Sequence, residues 1–495
     1  MSLKQVSLAF CTAWLAVLAG CSQKSGEPVL ARVGDRTITV GEYIRRAEYT
    51  IRPPYAKLNT PVQRSIVLNS LIAEKLFAME GEKESRLLKN ERFQLEMKGR
   101  LEQAMRFYMY QHEALARADV DEEDVKRTAA LAGRTYDVAY FSIPDSSAAV
   151  MIGGQLRAGV PFEEVFRSVA DTMRMPVREV SYLDEKHSAI RAALFSGPLA
   201  KGQVLQPVNV DGEYTLFMQV RGWKDQPLLT DGEMRGRHDD VREEMLRERA
   251  VGIWEDRVGR IMEDKTLYFY TDAFMQLVQL VGDQYYRNLA DIQDSFNRAF
   301  WSDRDMEVNV ALPGDASLRQ MPFFRVKDKV WTIADFERLL LSHPLVFRNT
   351  RIPKSEFADE FRLAVGDLMR DHFINEEAYK RGYDRIPAVQ NQKRMFQDAM
   401  VAVEHRQRIL QSMGETRDLS KHMDAILKQR LNPYVDSLQT QYSRKIEINV
   451  EELEKLQLTR IDLFVKYKQA PYPVVVPDFP ILTSDYSLDY GKKMK

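Results

Sequence analysis

The strongest constraint on the fold is an internal repeat. The stretch LARVGDRTITVGEYIRRAEY, residues 30–49, is matched far downstream by FFRVKDKVWTIADFERLLLS, residues 323–342. Each copy reads as a short alternating run, a charged turn, a second short run and the start of a helix. A chain with such a repeat is expected to build the same supersecondary unit twice.

Each copy carries the signature of a capped helix. Thr39 and Glu42 in the first copy correspond to Thr332 and Asp335 in the second. A threonine oxygen at this position accepts hydrogen bonds from free amides of the first helical turn, and the acid three residues later reaches back to the cap. A capping box alone is common, so the prediction depends on its repetition within the longer match.

Apolar stripes follow both hairpins at the same spacing. They are Leu68, Leu71, Ile72 and Leu76 in the first copy, and Val365, Leu368, Met369 and Phe373 in the second. This spacing predicts a helix that buries one face. A third helix is predicted in each copy, near residues 91–115 and 389–413, so both modules are expected to be mostly helical.

The stretch between the copies has a different pattern. TYDVAYFSI and GEYTLFMQV resemble strands, FEEVFRSVADT is a short amphipathic helix, and ALFSGPLAKGQVLQPV is a helix end, a turn and a strand. We predict a compact unit of mixed helix and strand here. The chain is therefore assigned to the α+β class, with mostly helical modules and this small unit inserted in the first of them.

Both copies are followed by a charged helical stretch that leads into a short strand and a second helix. Residues 234–262 lead to KTLYFYTDAFMQL, and residues 423–442 lead to KIEINVEELEKL. Pro433 is expected to bend or break the second of these helices. Each flanking part is predicted to complete the module before it. The proline-rich tail is expected either to lie extended on the body or a partner, or to be a loose terminus.

The N-terminus has the order of a secretory signal. Lys4 is followed by an apolar run to Leu18, which is too short and wrongly flanked for a stable spanning helix. Leu18-Ala19-Gly20-Cys21 also resembles the bacterial lipobox, which implies cleavage before Cys21 and acylation of that cysteine. The alternative is an ordinary signal with a chance cysteine. Because the only other cysteine is Cys11, no internal disulfide is expected after cleavage.

Composition and motifs exclude several function classes. The formal net charge of −1 over 495 residues gives no footprint for nucleic-acid binding. The sequence has no HExxH, GxGxxG, P-loop or GxSxG motif, the mature chain has no cysteine pair for zinc, and the seven histidines are scattered. We therefore expect neither a metal nor another cofactor.

The order of these parts resembles the SurA/PrsA-type exported foldases, which belong to the peptidyl-prolyl isomerases. The stretches that carry the resemblance are 31–43, 68–79, 159–171, and 193–208 with 212–220. The resemblance implies a helical chaperone segment that packs with a helix from beyond a parvulin domain. It extends over residues 29–280, and over 322–456 through the internal repeat. For a lipoprotein with the non-acidic Ser22 after its cysteine, it implies the periplasmic face of the outer membrane.

The resemblance and the repeat together divide the chain into eight predicted segments. These are a signal peptide at 1–20, a tether at 21–28, a SurA-like helical chaperone segment at 29–132, a parvulin-like domain at 133–226, a helical segment packing back on the first module at 227–320, a second chaperone segment at 321–415, a helix and strand completing the second module at 416–466, and the tail at 467–495.

The resemblance also identifies candidate site residues in the parvulin-like domain. Family members that isomerise X-Pro bonds use two histidines on central strands, and Tyr140 and Thr215 stand at these positions here. The pair that helps to lower a barrier of ~18–20 kcal/mol is therefore missing. An apolar, proline-binding surface is predicted from four residues whose alternative role is simple core: Phe162, Phe195, Phe217 and Met218.

Three functions remain open at this point. The first is a lipid-anchored chaperone that binds unfolded or proline-containing exported polypeptides, such as outer-membrane precursors, by burying apolar surface. The second is an active parvulin-type peptidyl-prolyl isomerase. The third is a structural lipoprotein that holds one fixed partner. We favour the chaperone because it needs no catalytic group.

Overall fold

The computed structural model describes residues 27–494, except 171–173, 211, 213, 228–229, 297–315, 350, 460–462, 464 and 468. The predicted signal peptide and Cys21 lie outside the described residues. Two compact units form: unit 1 covers residues 109–263, and unit 2 combines residues 27–108 with 264–494. In the part of the chain that is described, no helix has the length and apolar character to cross a membrane.

The first copy of the repeat consists of a hairpin and three helices. They are β1 (Val29–Val33), β2 (Arg36–Thr39), α1 (Val40–Glu48), α2 (Pro61–Gly81) and α3 (Glu91–Glu113). Gly34 turns the hairpin with φ of 63°, a left-handed conformation that favours glycine. α2 begins after Thr60, whose hydroxyl accepts a hydrogen bond from the amide of Gln63.

Unit 1 is built around a four-stranded antiparallel sheet. Its elements are α4 (Glu122–Leu131), β3 (Arg134–Ile143), α5 (Ser146–Arg157), α6 (Phe162–Val169), β4 (Val177–Ser181), α7 (Ser188–Phe195), β5 (Val208–Val210), β6 (Tyr214–Asp225) and α8 (Asp231–Ile261). The strand order is β4-β3-β6-β5. Helices α5 and α6 share an apolar core with one face of the sheet, and α4, α7 and α8 share a core with the other face.

The second copy repeats the order of elements seen in the first. It follows β7 (Leu267–Phe269), α9 (Thr271–Phe296) and the short α10 (Ala316–Gln320), and consists of β8 (Pro322–Val326), β9 (Lys329–Thr332), α11 (Ile333–Ser342), α12 (Phe357–Lys380) and α13 (Pro387–Ser412). A hairpin, a short capped helix and two long helices thus occur twice, which is the order that the repeat predicts. With the sheet of unit 1, the described chain is an α+β protein, as predicted.

The remaining elements are α14 (Leu419–Ile426), α15 (Asn432–Tyr442), β10 (Ile446–Ile448), α16 (Val450–Lys455) and β11 (Lys492–Lys493). A π-helical turn at Leu427–Leu431 separates α14 from α15, and Pro433 lies in the first turn of α15. The helix is therefore interrupted where the proline predicts it. The tail lies on unit 2, where Val475, Phe479 and Leu482 are buried.

The strands that follow the two copies are exchanged between them. β10 pairs with β1 of the first copy, with Ile448 opposite Ala31. β7 pairs with β8 of the second copy, with Phe269 opposite Phe324. The two sheets have the orders β11-β10-β1-β2 and β7-β8-β9. The prediction that each flanking part completes the module before it is therefore wrong for these strands.

The helices next to these strands follow the same exchange. Val435 and Leu438 of α15 share the core of α2, and Phe274 and Leu277 of α9 share the core of α12. The long helices also cross over. α2 lies so close to α13 that a Cβ at Gly81 would be 2.8 Å from the Val401 side chain. The two flanking segments have the same local pattern, so their sequence does not reveal which hairpin each one joins.

The caps of α1 and α11 differ in one contact. Thr39 accepts from the amide of Glu42, and Thr332 accepts from the amide of Asp335. The Asp335 carboxylate also accepts from the Thr332 amide at 3.0 Å, which completes the predicted capping box. The Glu42 carboxylate instead lies 3.2 Å from Nζ of Lys75. The box predicted in the first copy is thus half formed, because a buried lysine binds its acid.

Candidate functional site

Tyr140 and Thr215 lie on opposite faces of the sheet in unit 1. The register of β3 and β6 places Tyr140 opposite Met218 and Ile143 opposite Thr215. Because side chains alternate along a strand, the three-residue step from Tyr140 to Ile143 changes the face. The structure therefore does not bring together the two positions that correspond to the family's histidines.

Tyr214 shares the face of Tyr140, and sequence reasoning missed it. Both tyrosines pack against the core that contains Phe195 and Met218. The resemblance places Thr215 at a histidine position by allowing one extra residue between Gly212 and Tyr214, and a one-residue shift reverses the face of every later side chain. An alignment with the extra residue after Tyr214 places Tyr214, rather than Thr215, at the histidine position. That alignment predicts the neighbour of Tyr140 correctly.

The four predicted substrate-binding residues are core residues. The exposed fraction of Phe162, Phe195, Phe217 and Met218 is at most 3%. Phe217 stacks on Phe141 with 5.1 Å between ring centroids. The four also divide between two cores, since Phe162 and Phe217 lie on one face of the sheet and the other two on the opposite face. Burial of this kind is what the alternative, a role in packing, requires, and a proline-binding role for the four residues stays a prediction.

A charged group covers the ring of Tyr140. The guanidinium of Arg178 lies 5.6 Å from the ring centroid and donates to the Glu185 carboxylate at 2.8 Å. The backbone amide of His187 donates to the same carboxylate at 3.0 Å. These contacts fix an arginine over an aromatic ring. His187 is the one histidine of residues 133–226, so no imidazole pair can form within that segment.

Unit 1 exposes two consecutive large apolar side chains on α5. Val150 and Met151 are each 70% exposed, whereas their neighbours Ala149 and Ile152 are buried in the core with α6. These two side chains form a small exposed apolar surface on α5. The pair serves as a control for the exposed apolar side chains of unit 2.

Unit 2 exposes a larger group, which we call the loop patch: Ile51, Leu58, Val62 and Leu463. These side chains are 45–69% exposed. They lie on two segments joined by hydrogen bonds, since the Leu463 amide donates to the Glu48 carbonyl at 2.6 Å and the Leu458 amide donates to the Asn59 side chain at 3.0 Å. The two segments are therefore neighbours, and exposed apolar side chains on neighbouring segments make this part of unit 2 a candidate interaction surface.

Helix α2, whose second residue Val62 belongs to the loop patch, is held by buried charges. The Arg46 guanidinium donates to both Glu74 oxygens, at 2.9 and 2.6 Å. Lys75 Nζ lies 3.3 Å from Asp398, which joins α2 to α13. Burial alone would raise the pKa of Glu74, but Arg46 and then Lys75 hold it below its ordinary value. Burial would lower the pKa of Lys75, yet Glu42 and Asp398 hold it above its ordinary value.

The second copy contains an equivalent buried pair. His343 Nε2 lies 3.0 Å from Asp371 Oδ2, and the two residues are 28 positions apart, as are Arg46 and Glu74. Arg106 of α3 lies 3.2 Å from the same Asp371 oxygen. Burial would raise the pKa of Asp371, but Arg106 and the hydrogen bond from His343 hold it well below its usual range. Each of the long helices α2 and α12 is thus anchored by a buried carboxylate of its own.

The described residues include no group of three or more histidine, cysteine, aspartate or glutamate side chains placed to hold a metal ion. The expectation of no cofactor stays a prediction.

Two solved structures are similar to parts of this chain. The peptidylprolyl isomerase PrsA from Bacillus anthracis is 15% identical, with 39% of this chain and 97% of that chain covered and a TM-score of 0.20. PrsA from Bacillus cereus is 13% identical, with 48% and 91% covered and a TM-score of 0.20. No family model and no curated protein matches the sequence. At this TM-score the likeness carries no argument about the family or the activity of this chain.

Proposed function

We propose that this protein is an exported, lipid-anchored chaperone of the foldase type that binds unfolded or proline-containing exported polypeptides. The observation that carries the proposal is the loop patch, because its apolar side chains are exposed on two neighbouring segments of unit 2. Covering such a surface with another polypeptide is favourable in free energy, because the apolar side chains leave water. The buried ion pairs beside it keep the supporting helices in place.

The size of the loop patch fits weak, reversible binding. Burying one large apolar side chain is worth about 1.5–3 kcal/mol, and these four are already partly covered. Association and the ordering of the bound segment oppose this gain. A surface of this kind is expected to hold many different unfolded chains briefly rather than one partner permanently.

The alternative function is an active isomerase, whose catalytic site would have to lie in unit 1. Tyr140 and Thr215 lie on opposite faces of its sheet, and the apolar residues expected to grip proline are buried. We therefore expect the full chain to leave the rate of cis–trans exchange in an X-Pro peptide at its uncatalysed value. NMR exchange spectroscopy on such a peptide measures this rate directly, and an acceleration proportional to protein concentration would favour the isomerase.

The lipid anchor is supported by the lipobox-like sequence ending at Cys21. Acylation there would hold the protein at the periplasmic face of the outer membrane. Cells grown with labelled palmitate are expected to label the wild-type chain and leave the Cys21→Ser variant unlabelled. An unlabelled wild-type protein, or equal label in the variant, would remove the anchor from the proposal.

The chaperone activity is tested by light scattering from an unfolded protein diluted out of denaturant. We expect the wild-type chain to suppress scattering in proportion to its concentration. Ile51→Glu with Leu58→Glu should lose most of this effect, because carboxylates in the loop patch oppose apolar burial. The matched control is Val150→Glu with Met151→Glu, which adds the same charges to unit 1 and should retain the effect.

Two outcomes would contradict this proposal. One is wild-type protein that leaves scattering unchanged at a molar excess over the unfolded protein. The other is equal loss of suppression in both double variants, which would move the binding surface away from the loop patch. A single partner recovered in stoichiometric amount from cells would instead favour the structural lipoprotein.

A further inference from the structure

The two small sheets of unit 2 differ at one edge. In the first, the outer strand β10 is covered by β11 from the chain's own tail, which runs parallel to it with Lys492 opposite Glu447. In the second, β7 occupies the position of β10, and among the described residues no strand pairs with its outer side. The first sheet thus shows what an equivalent edge can accept: an extended segment of polypeptide.

The open edge presents unused backbone groups. The Tyr270 amide donates to the Phe323 carbonyl of β8 at 2.9 Å. Bonded pairs alternate along an antiparallel ladder, so Tyr268 also bonds toward β8, whereas Leu267 and Phe269 direct their N–H and C=O groups outward. On the covered sheet, the corresponding carbonyl of Ile448 accepts from the Met494 amide of the tail at 2.9 Å.

Side-chain burial differs between the two edges in the same direction. Ile446 and Ile448 of β10 are 0% and 1% exposed. Leu267 and Phe269, their counterparts on β7, pack against the core of the second copy but are only half-buried. An added strand would cover them, as the tail covers the first sheet. The open edge is therefore apolar as well as rich in backbone donors and acceptors, the combination that strand addition uses.

Several basic side chains lie near this edge. The Arg325 guanidinium lies 5.1 Å from the ring centroid of the exposed Tyr268. Burial has the largest effect on the pKa of Lys265 and lowers it, and the charges of Lys327 and Lys380 lower it further. Together these effects exceed the opposing effect of Glu376 and Asp264. On the covered sheet the tail places Lys492 beside the acidic Glu447. By the same complementarity, the open edge favours an acidic segment.

We propose that the outer edge of β7 binds an extended segment of a client polypeptide, parallel to β7, with β-branched or apolar residues alternating along it and an acidic residue beside Tyr268. The inference rests on the proposed chaperone function and names a second contact for the same clients. Backbone hydrogen bonds make such binding tolerant of sequence, which suits a protein with many clients.

The test uses the full chain and a short synthetic peptide in which valine alternates with threonine and one central threonine is replaced by glutamate. Leu267→Pro removes the outward N–H at the first residue of β7 without removing a bond to β8. Leu267→Ala shortens the same side chain but keeps that N–H, and is the matched control. We expect Leu267→Pro to weaken peptide binding roughly tenfold relative to Leu267→Ala. Equal affinity of the two variants would overturn the proposal.

A second measurement does not depend on a variant that must tolerate proline. A photo-crosslinking residue at position 268 should label the bound peptide, whereas the same residue at position 447, on the covered edge, should not. Equal labelling from both positions would also overturn the proposal. Wild-type protein that suppresses aggregation but does not bind the peptide at β7 would refute this edge site alone. Protein that binds the peptide there without suppressing aggregation would refute the chaperone function alone.

Discussion

Single buried carboxylates hold each copy of the repeat together. Glu74 and Asp371 occupy matching positions on the long helices α2 and α12, and each binds a basic residue 28 positions earlier in the chain. The repeat aligns Glu74 with Asp371, but it aligns Arg46 with Leu339. The basic partner His343 therefore does not stand at the repeat position of Arg46. Burial and hydrogen bonds in the structure identify both partners of each pair.

Removing either carboxylate should be costly. Glu74→Gln leaves the Arg46 charge buried with a weaker partner, and Asp371→Asn does the same to Arg106. We expect each variant to lose about 3–5 kcal/mol in the free energy of unfolding. Urea unfolding of the full chain measures this loss. The control is Glu452→Gln, which breaks an exposed pair with Lys455 and should leave the free energy of unfolding almost unchanged. Equal losses in all three variants would contradict the structural role.

His405 should make stability depend on pH. Its Nδ1 accepts from Arg408 at 2.9 Å, and its Nε2 lies 2.9 Å from the Tyr434 hydroxyl. Burial, and then the charge of Arg408, lower the pKa of His405 from 6.5 to about 4. The unfolded chain therefore binds the proton more readily between these values, so the contribution is complete above pH 6.5 and is lost as pH falls toward 4.

The full shift corresponds to about 3 kcal/mol, and because solvent partly screens this site we expect a loss of about 2 kcal/mol for His405. The measurement is the difference in free energy of unfolding between wild type and His405→Gln across this pH range. The glutamine variant cannot titrate, so the difference should shrink as the pH falls from 6.5 toward 4. A difference that stays constant with pH would show that His405 does not carry a lowered pKa.

At the scale of elements, local signals were read correctly and long-range pairing was not. The hairpins, the capping threonines and the helix irregularity just before Pro433 each depend on a few neighbouring residues, and each is present. The choice of hairpin for β7 and β10 depends on contacts between distant segments. Two flanking segments with one pattern satisfy either choice, so only the folded chain decides it.

The complete capping box of α11 gives an element-scale prediction. Thr332→Val keeps the shape of the side chain but removes the hydroxyl that accepts from the Asp335 amide and donates to its carboxylate. We expect a loss of about 1 kcal/mol in the free energy of unfolding. Thr332→Ser keeps the hydroxyl and should lose much less. Indistinguishable valine and serine variants would mean that the cap contributes nothing measurable.

At the scale of the whole molecule, the sequence predicted a folded unit more easily than an exposed surface. The pattern of strands and helices in residues 133–226 predicted a mixed unit, and the structure contains one. The faces of Tyr140 and Thr215 depended on one extra residue in a loop, which pattern alone could not place. The loop patch was missed altogether, since Ile51 and Leu58 lie in a loop without periodicity and Leu463 is distant in sequence.

Site-specific photo-crosslinking to an unfolded client tests the central claim most directly. A photoreactive residue is placed in turn at positions 51 and 58 of the loop patch, and at position 150 on α5 as an equally accessible control in unit 1. The account predicts client adducts from positions 51 and 58 that disappear when the client is folded, and few from position 150. Adducts from position 150 with none from positions 51 and 58 would contradict it, because clients would then bind unit 1.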